Sequence, residues 1–336
     1  MFVSEGKETI SLRKYMALLL CVLSLLLVAC SPSGPRSSEP VAYQVTDTEG
    51  TVTAFPAPPK RIITLSMSTD EVMLGLVEPE RIAAVNGLLD DPVSSNVTEL
   101  VKAIPHRIGN PTVEEIMALQ PDLVVVPDWG DLSIVPSLRE AGLKVVVCKG
   151  AKNLTEIRET IALLAAAAGE EERGARLQSM MDEKLAEIEA KVQQIPPEQR
   201  KSVVLISLMS AYGGIGSSFD EACSLAGVTN GRAAFGIRDG QVMTKEQLVA
   251  INPDILFLPT YNDHGNYDVD KFRREYLGDP SLQTMKAIRN QAFAEPFEGY
   301  IYNCSQDFVF GVQEIAYRVY GDVFRQPADE HLSAVH

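Results

Sequence analysis

A sixteen-residue pattern occurs twice in this chain, and it limits the possible folds more than any other feature. Thr112 to Pro127 reads TVEEIMALQPDLVVVP, and Thr244 to Pro259 reads TKEQLVAINPDILFLP, at an offset of 132 residues. The copies share Thr112/Thr244, Glu114/Glu246, Ala118/Ala250, Pro121/Pro253, Asp122/Asp254 and Pro127/Pro259. Each copy predicts a short helix, with Thr as its N-cap, a carboxylate in the first turn where the helix dipole favours it, and Pro to stop it. An apolar run then predicts a strand buried on both faces. Upstream of each copy another strand enters a helix, IITLSMSTDEVMLGL from Ile62 and VVLISLMSAYGGIGSSFDEACSLAG from Val203. Strands alternating with helices imply parallel sheets, so the expected fold is two Rossmann-like α/β lobes.

Between the two copies lies a run from Glu170 to Ile195 with no Pro and a single Gly. Leu177, Met181, Leu185, Ile188, Val192 and Ile195 recur every three or four residues, which puts them on one face of a helix. Gly169 is expected to open that helix and Pro196-Pro197 to close it. Such a helix would be roughly 35 to 40 Å long, enough for a strut joining the lobes. The expected divisions are 1–29 signal, 30–57 tether and entry segment, 58–168 first lobe, 169–196 linking helix, 197–326 second lobe and 327–336 a frayed tail.

Lys7, Arg13 and Lys14 precede an uncharged apolar run from Met16 to Ala29, the form of a secretory signal. Its end, Leu27-Val28-Ala29-Cys30, resembles a bacterial lipobox, which implies cleavage before Cys30, acylation of its thiol and attachment to the outer face of the cell membrane. The SPSGPRSSEP that follows reads as a flexible tether. Removing residues 1–29 deletes three basic and two acidic side chains, so a net charge of −15 becomes −16, and nucleic acid is a poor partner for the body. Cys148, Cys223 and Cys304 remain, far apart and without a C-x-x-C, so neither a zinc ribbon nor a disulfide framework is expected.

The segments KRIITLSMSTDEVMLGL, VEEIMALQPDLVVV and KEQLVAINPDILFL, with the linking helix, resemble the periplasmic-binding family that serves ABC importers of siderophores, haem and cobalamin. The likeness spans about residues 58–325. It implies a monomer, without a cofactor, that binds a metal chelate between its lobes and presents it to a permease and, through that, to ATPase subunits. In that family one Glu on the rim of each lobe pairs with permease Arg residues, and the positions matching here are Glu114 and Glu246. A first-turn Glu is also favourable by itself, and Glu115 adjoins Glu114.

Ligands of open α/β sheets sit beyond the carboxyl ends of the strands. Those positions hold Met67, Ser68 and Trp129 in the first lobe, and Ser210, Tyr212, Tyr261, His264 and, further on, Tyr302 in the second. Arg232 and Arg238 are candidates to meet anionic groups. Aromatic strand ends suit a large planar or greasy chelate, with a ferric siderophore as the expected ligand and haem or cobalamin as the alternatives. If the ligand is haem, Met67, Tyr261 or His264 could be axial to its iron. A bare transition metal would need several imidazoles, and the body has only His106 and His264. A secreted α/β hydrolase is the reading of another class. The segment Gly214-Ile215-Gly216-Ser217-Ser218 lacks the G-x-S-x-G of a nucleophile elbow, and its glycines are expected to admit a ligand or to start a helix at Ser217 or Ser218.

Overall fold

The computed structural model describes residues 41–261, 267–327 and 329–335. The expected signal, the tether, Cys30 and His264 lie outside them. A hairpin of β1 (Tyr43–Thr46) and β2 (Val52–Phe55) leads into β3 (Ile62–Thr64), β4 (Ile82–Asn86), β5 (His106–Ile108), β6 (Leu123–Pro127) and β7 (Val145–Cys148). The last five form one parallel sheet in the order β5-β4-β3-β6-β7. In the second lobe β8 (Ser202–Leu205), β9 (Thr229–Asn230), β10 (Ile255–Phe257) and β11 (Phe293–Ala294) form another, in the order β11-β10-β8-β9. In each sheet the strand order reverses beside the lobe's first strand, β3 or β8. Those reversals open a crevice at the carboxyl ends.

Strict alternation buries both faces of the first sheet. Leu123, Val125, Val146 and Cys148 pack on one side with the helices Met67–Leu76 and Leu154–Ala168. Val124, Val126, Val145 and Val147 pack on the other with Ile116, Val135 and Leu138. In the second lobe Val203, Leu205 and Phe257 join the same apolar cluster as the first lobe's inner face, so one core runs through both lobes.

The repeat has a physical explanation that its sequence only partly disclosed. Thr112 and Thr244 cap Val113–Ala118 and Lys245–Ile251, each in a reciprocal capping box with Glu115 or Gln247. Gln120 and Asn252, the polar pair before each Pro, both take left-handed backbone, with φ of 49° and 47°. That turn lets the chain leave the helix and enter the sheet. Asp122 then accepts the backbone N–H groups of Lys60 and Arg61 at 2.7 and 2.8 Å, and Asp254 accepts that of Ser202 at 2.8 Å. The shared Asp therefore ties β6 to the entry of β3, and β10 to the entry of β8.

The linking helix is Glu171–Val192, about 33 Å long. Gly169 does not open it but closes the preceding helix, with φ of 72° and its N–H bonded back to Ala165 and Ala166. Leu177, Met181, Ile188 and Val192 are buried, while Leu185 and Ile195 are half-buried. Gly174 permits a close crossing, since a Cβ there would lie 2.5 Å from that of Ala165. The tail departs from expectation among the described residues. Leu332 N–H donates to Asp307 Oδ1 at 2.9 Å, and Ala334 N–H donates to Gly75 O at 2.9 Å, so residues 329–335 return to the first lobe.

Candidate functional site

A cavity of 840 Å³ opens at the carboxyl ends of β3 and β8. The first lobe lines it with Met67, Ser68 and Glu71 from the start of Met67–Leu76, and with Leu88 and Ser94 from the loop after β4. From the second lobe come residues Leu205 to Ser210, Arg232, Met243, Tyr261, Tyr267, Phe272 and Tyr276. Glu298, Gly299, Tyr302 and Asn303 complete it from the segment that crosses back to the first lobe. The wall is mainly aromatic and aliphatic, which suits a ligand with a broad apolar surface.

Each wall element has a local cause. Ser66 caps Met67–Leu76 through Thr69 N–H, setting Met67 and Ser68 at the helix mouth. Glu298 accepts the backbone N–H groups of Thr260 and, at 2.9 Å, Tyr261, which fixes the chain just beyond β10. Tyr302 follows the short helix Glu298–Ile301 rather than a strand-like stretch. Its hydroxyl donates to Ser207 Oγ at 2.8 Å, and its ring lies 5.1 Å from that of Tyr212.

The positions anticipated from strand ends separate into three groups. Met67, Ser68, Ser210, Tyr261 and Tyr302 line the cavity. Trp129 does not line it. Trp129 is 68% exposed, sits against Gly150, and borders a smaller neighbouring cavity of 220 Å³ that shares Ser68 and Tyr302 with the larger one. Tyr212 stands behind the wall, its hydroxyl donating to Ile301 O at 3.1 Å and lying 2.9 Å from Ser218 Oγ, and its ring backing Tyr302, because a phenol with both of these partners gains nothing by facing the cleft. Arg238 is outside the lining too, with its backbone bridged to Ile215.

Phe272 and Tyr276 were missed. They occupy one face of the charged helix Val269–Leu277 at a spacing of four, and that aromatic pair in VDKFRREYL was the available signal. Gly214 serves another purpose than admitting a ligand, while the expected helix start at Ser217 or Ser218 is present. A Cβ at Gly214 would lie 2.4 Å from the backbone carbon of Arg238, so that glycine admits another stretch of backbone, and Ser217 caps Ser218–Leu225.

Glu71 and Asp70 are buried beside the cavity. Glu71 accepts from Asn303 Nδ2, across the junction between the first lobe and the crossing segment. Burial, reinforced by the charge of Asp307, raises its carboxyl well above the usual range. Asp70 accepts from Thr64 Oγ1 and, at 2.8 Å, from Asn86 N–H, yet burial still pushes it up to about 8. Its folded-state value exceeds its unfolded value, so the stability it lends is complete below about pH 4 and declines as the pH rises towards 8. Asp70→Asn should flatten this decline, which is bounded by about 1.4 kcal/mol per pH unit. Thermal unfolding at pH 5 and pH 8 checks it; equal pH dependence in both proteins would contradict the burial argument.

The two repeat-equivalent carboxylates are distinguished from Glu115 and Gln247 by their neighbours. Glu115 Oε2 accepts Thr112 N–H at 2.7 Å and is occupied by the capping box, and Gln247 holds the same place in the second copy. Glu114 and Glu246 are exposed at equivalent positions one residue earlier.

Comparison with known proteins agrees with this architecture. The pattern of the family described as "Periplasmic binding protein" matches residues 62–295. The uncharacterized ABC transporter substrate-binding lipoprotein YvrC of Bacillus subtilis (strain 168) is 23% identical over 283 residues, covering 80% of this chain and 82% of its own. A second relative from that organism, named "Probable siderophore-binding lipoprotein YfiY", is 22% identical over 303 residues, covering 83% of this chain and 89% of its own. Among solved structures, the periplasmic heme-binding protein RhuT from Roseiflexus sp. RS-1 in apo form superposes with a TM-score of 0.65 at 21% identity, covering 78% of this chain and 98% of that one.

Proposed function

Since the chain belongs to the periplasmic binding protein family, we propose that it captures an iron complex, a ferric siderophore, between its lobes and delivers it to the permease of an ABC importer. The observation that carries this reading is the cavity itself. A space of 840 Å³ walled by Tyr261, Tyr267, Phe272, Tyr276 and Tyr302, at the reversal points of both sheets, matches the bulk and the apolar faces of an organic chelate. The relative named "Probable siderophore-binding lipoprotein" supports the same reading. Haem is the second reading, supported by RhuT and by Met67 and Tyr261 on the wall as candidate axial ligands.

Delivery follows from the rim. Glu114 and Glu246 are exposed, equivalent by the repeat and not the third-position partners that close the capping boxes, so they are the carboxylates we assign to Arg residues on the permease. Acylated Cys30 would hold the protein at the membrane where that permease lies. Absorption spectra of the protein purified from its native host under iron restriction test the ligand. A charge-transfer band with stoichiometric iron and no porphyrin is expected, a Soret band would favour haem, and a colourless, iron-free protein would count against both.

A further inference from the structure

Arg232 is the second residue of the short helix Gly231–Ala234, where the side chain of Asn230 accepts its N–H at 3.2 Å. The residue is 2% exposed although it forms part of the cavity wall. Nη1 donates to Tyr212 O at 2.6 Å, and Nη2 donates to Gln241 O at 2.7 Å and to Ser210 O at 3.3 Å, while Nε has no partner among the described residues. All three acceptors are peptide carbonyls. They satisfy donors, but among the described residues no counter-ion touches the positive charge, and a buried cation in that condition is costly. Among the described residues the groups whose fields reach it are Asp239, with Oδ1 accepting Gly213 N–H at 3.3 Å, and Tyr276. Guanidinium does not lose its proton in proteins, so the charge persists in the wall. Tyr276 brings a phenol to the same part of the cavity from Val269–Leu277, and burial pushes it up to about 12, so it stays a donor at neutral pH.

We propose that Arg232 and Tyr276 form an anion-recognising end of the cavity, and that the chelate it takes carries a carboxylate or phenolate facing the second lobe. This rests on the reading of the cavity as a chelate site. An anionic group there would pair with a cation whose desolvation has already occurred in the folded protein, and the apolar surroundings strengthen that attraction. A neutral ligand of equal size would cover Arg232 and leave its charge unpaired.

The test is calorimetric titration of the whole chain with three probes: a ferric complex of a carboxylate-bearing siderophore, the uncharged ferric complex of a trihydroxamate of similar size, and iron-free salicylate. The wild type, Arg232→Gln and Tyr276→Phe are compared after their melting temperatures establish that each is folded. The wild type should prefer the anionic ferric complex roughly tenfold or more, a preference lost in Arg232→Gln and reduced several-fold in Tyr276→Phe. Equal binding of the two ferric complexes, or a preference that survives Arg232→Gln, overturns the anionic end while leaving the chelate reading intact. If Arg232→Gln does not fold, an unchanged preference in Tyr276→Phe overturns it. Salicylate binding that both substitutions weaken, with neither ferric complex bound, upholds the anionic end and removes the chelate reading. Failure of all three probes to bind the wild type overturns both.

Discussion

Replacing Glu114 and Glu246 together by alanine should bring ligand uptake by intact cells close to the level of a strain lacking the protein, while the affinity of the isolated protein changes by less than about twofold. A carboxylate that is paired with Arg and desolvated on docking costs about 1 kcal/mol or more when truncated, so two such losses weaken docking by roughly thirtyfold or beyond. Ligand affinity is spared because both carboxylates are exposed and neither lines the cavity. Glu115→Ala is the informative control. It removes the side chain that accepts Thr112 N–H and should cost about 0.5–2 kcal/mol of stability without abolishing uptake. Measured with a radiolabelled ferric siderophore, normal uptake by the double variant would refute the docking assignment, and so would a collapse of its ligand affinity.

The second large effect is expected at Tyr302. Its ring borders both cavities, its hydroxyl is tied to Ser207 at the end of β8, and Tyr212 supports it from behind. Alanine there would remove the surface that joins the crossing segment to the second lobe's wall. Binding should weaken by about 1–3 kcal/mol, roughly 5- to 150-fold. Trp129→Ala should have the smaller effect, because 68% of that residue is exposed and it lies outside the larger cavity. Kd values for the two variants with one ligand check this ordering, and a larger loss at Trp129 than at Tyr302 would reverse the account of which ring forms the wall.

The elements legible in the sequence were those whose causes are local. The repeat announced its helix and strand because Thr, Glu, Pro and a run of apolar residues each act within a few positions. The linking helix was visible from spacing, although Gly169 belongs to the helix before it. What escaped depends on partners distant in the chain. The tail looked frayed because its polar sequence gives no sign that Asp307 will receive Leu332 N–H or that Gly75 will receive Ala334 N–H. Tyr212 follows a strand as a ligand contact would, but Ile301 and Tyr302 reach it from some ninety residues away and draw it inward. Gly214 resembled a ligand-approach glycine because sequence cannot show that Arg238 is what approaches. Phe272 and Tyr276 were hidden by their charged neighbours, although their spacing placed them on one face of the helix.

The most direct test of capture in the cavity is calorimetric titration of the purified chain with ferric hydroxamate, ferric catecholate, haem and cobalamin side by side, in the wild type and in Tyr302→Ala. The account predicts one-to-one binding of at least one ferric siderophore, weakened several-fold or more by the substitution. Binding of cobalamin alone, of none of the four, or of a ferric siderophore with undiminished affinity in Tyr302→Ala would contradict it.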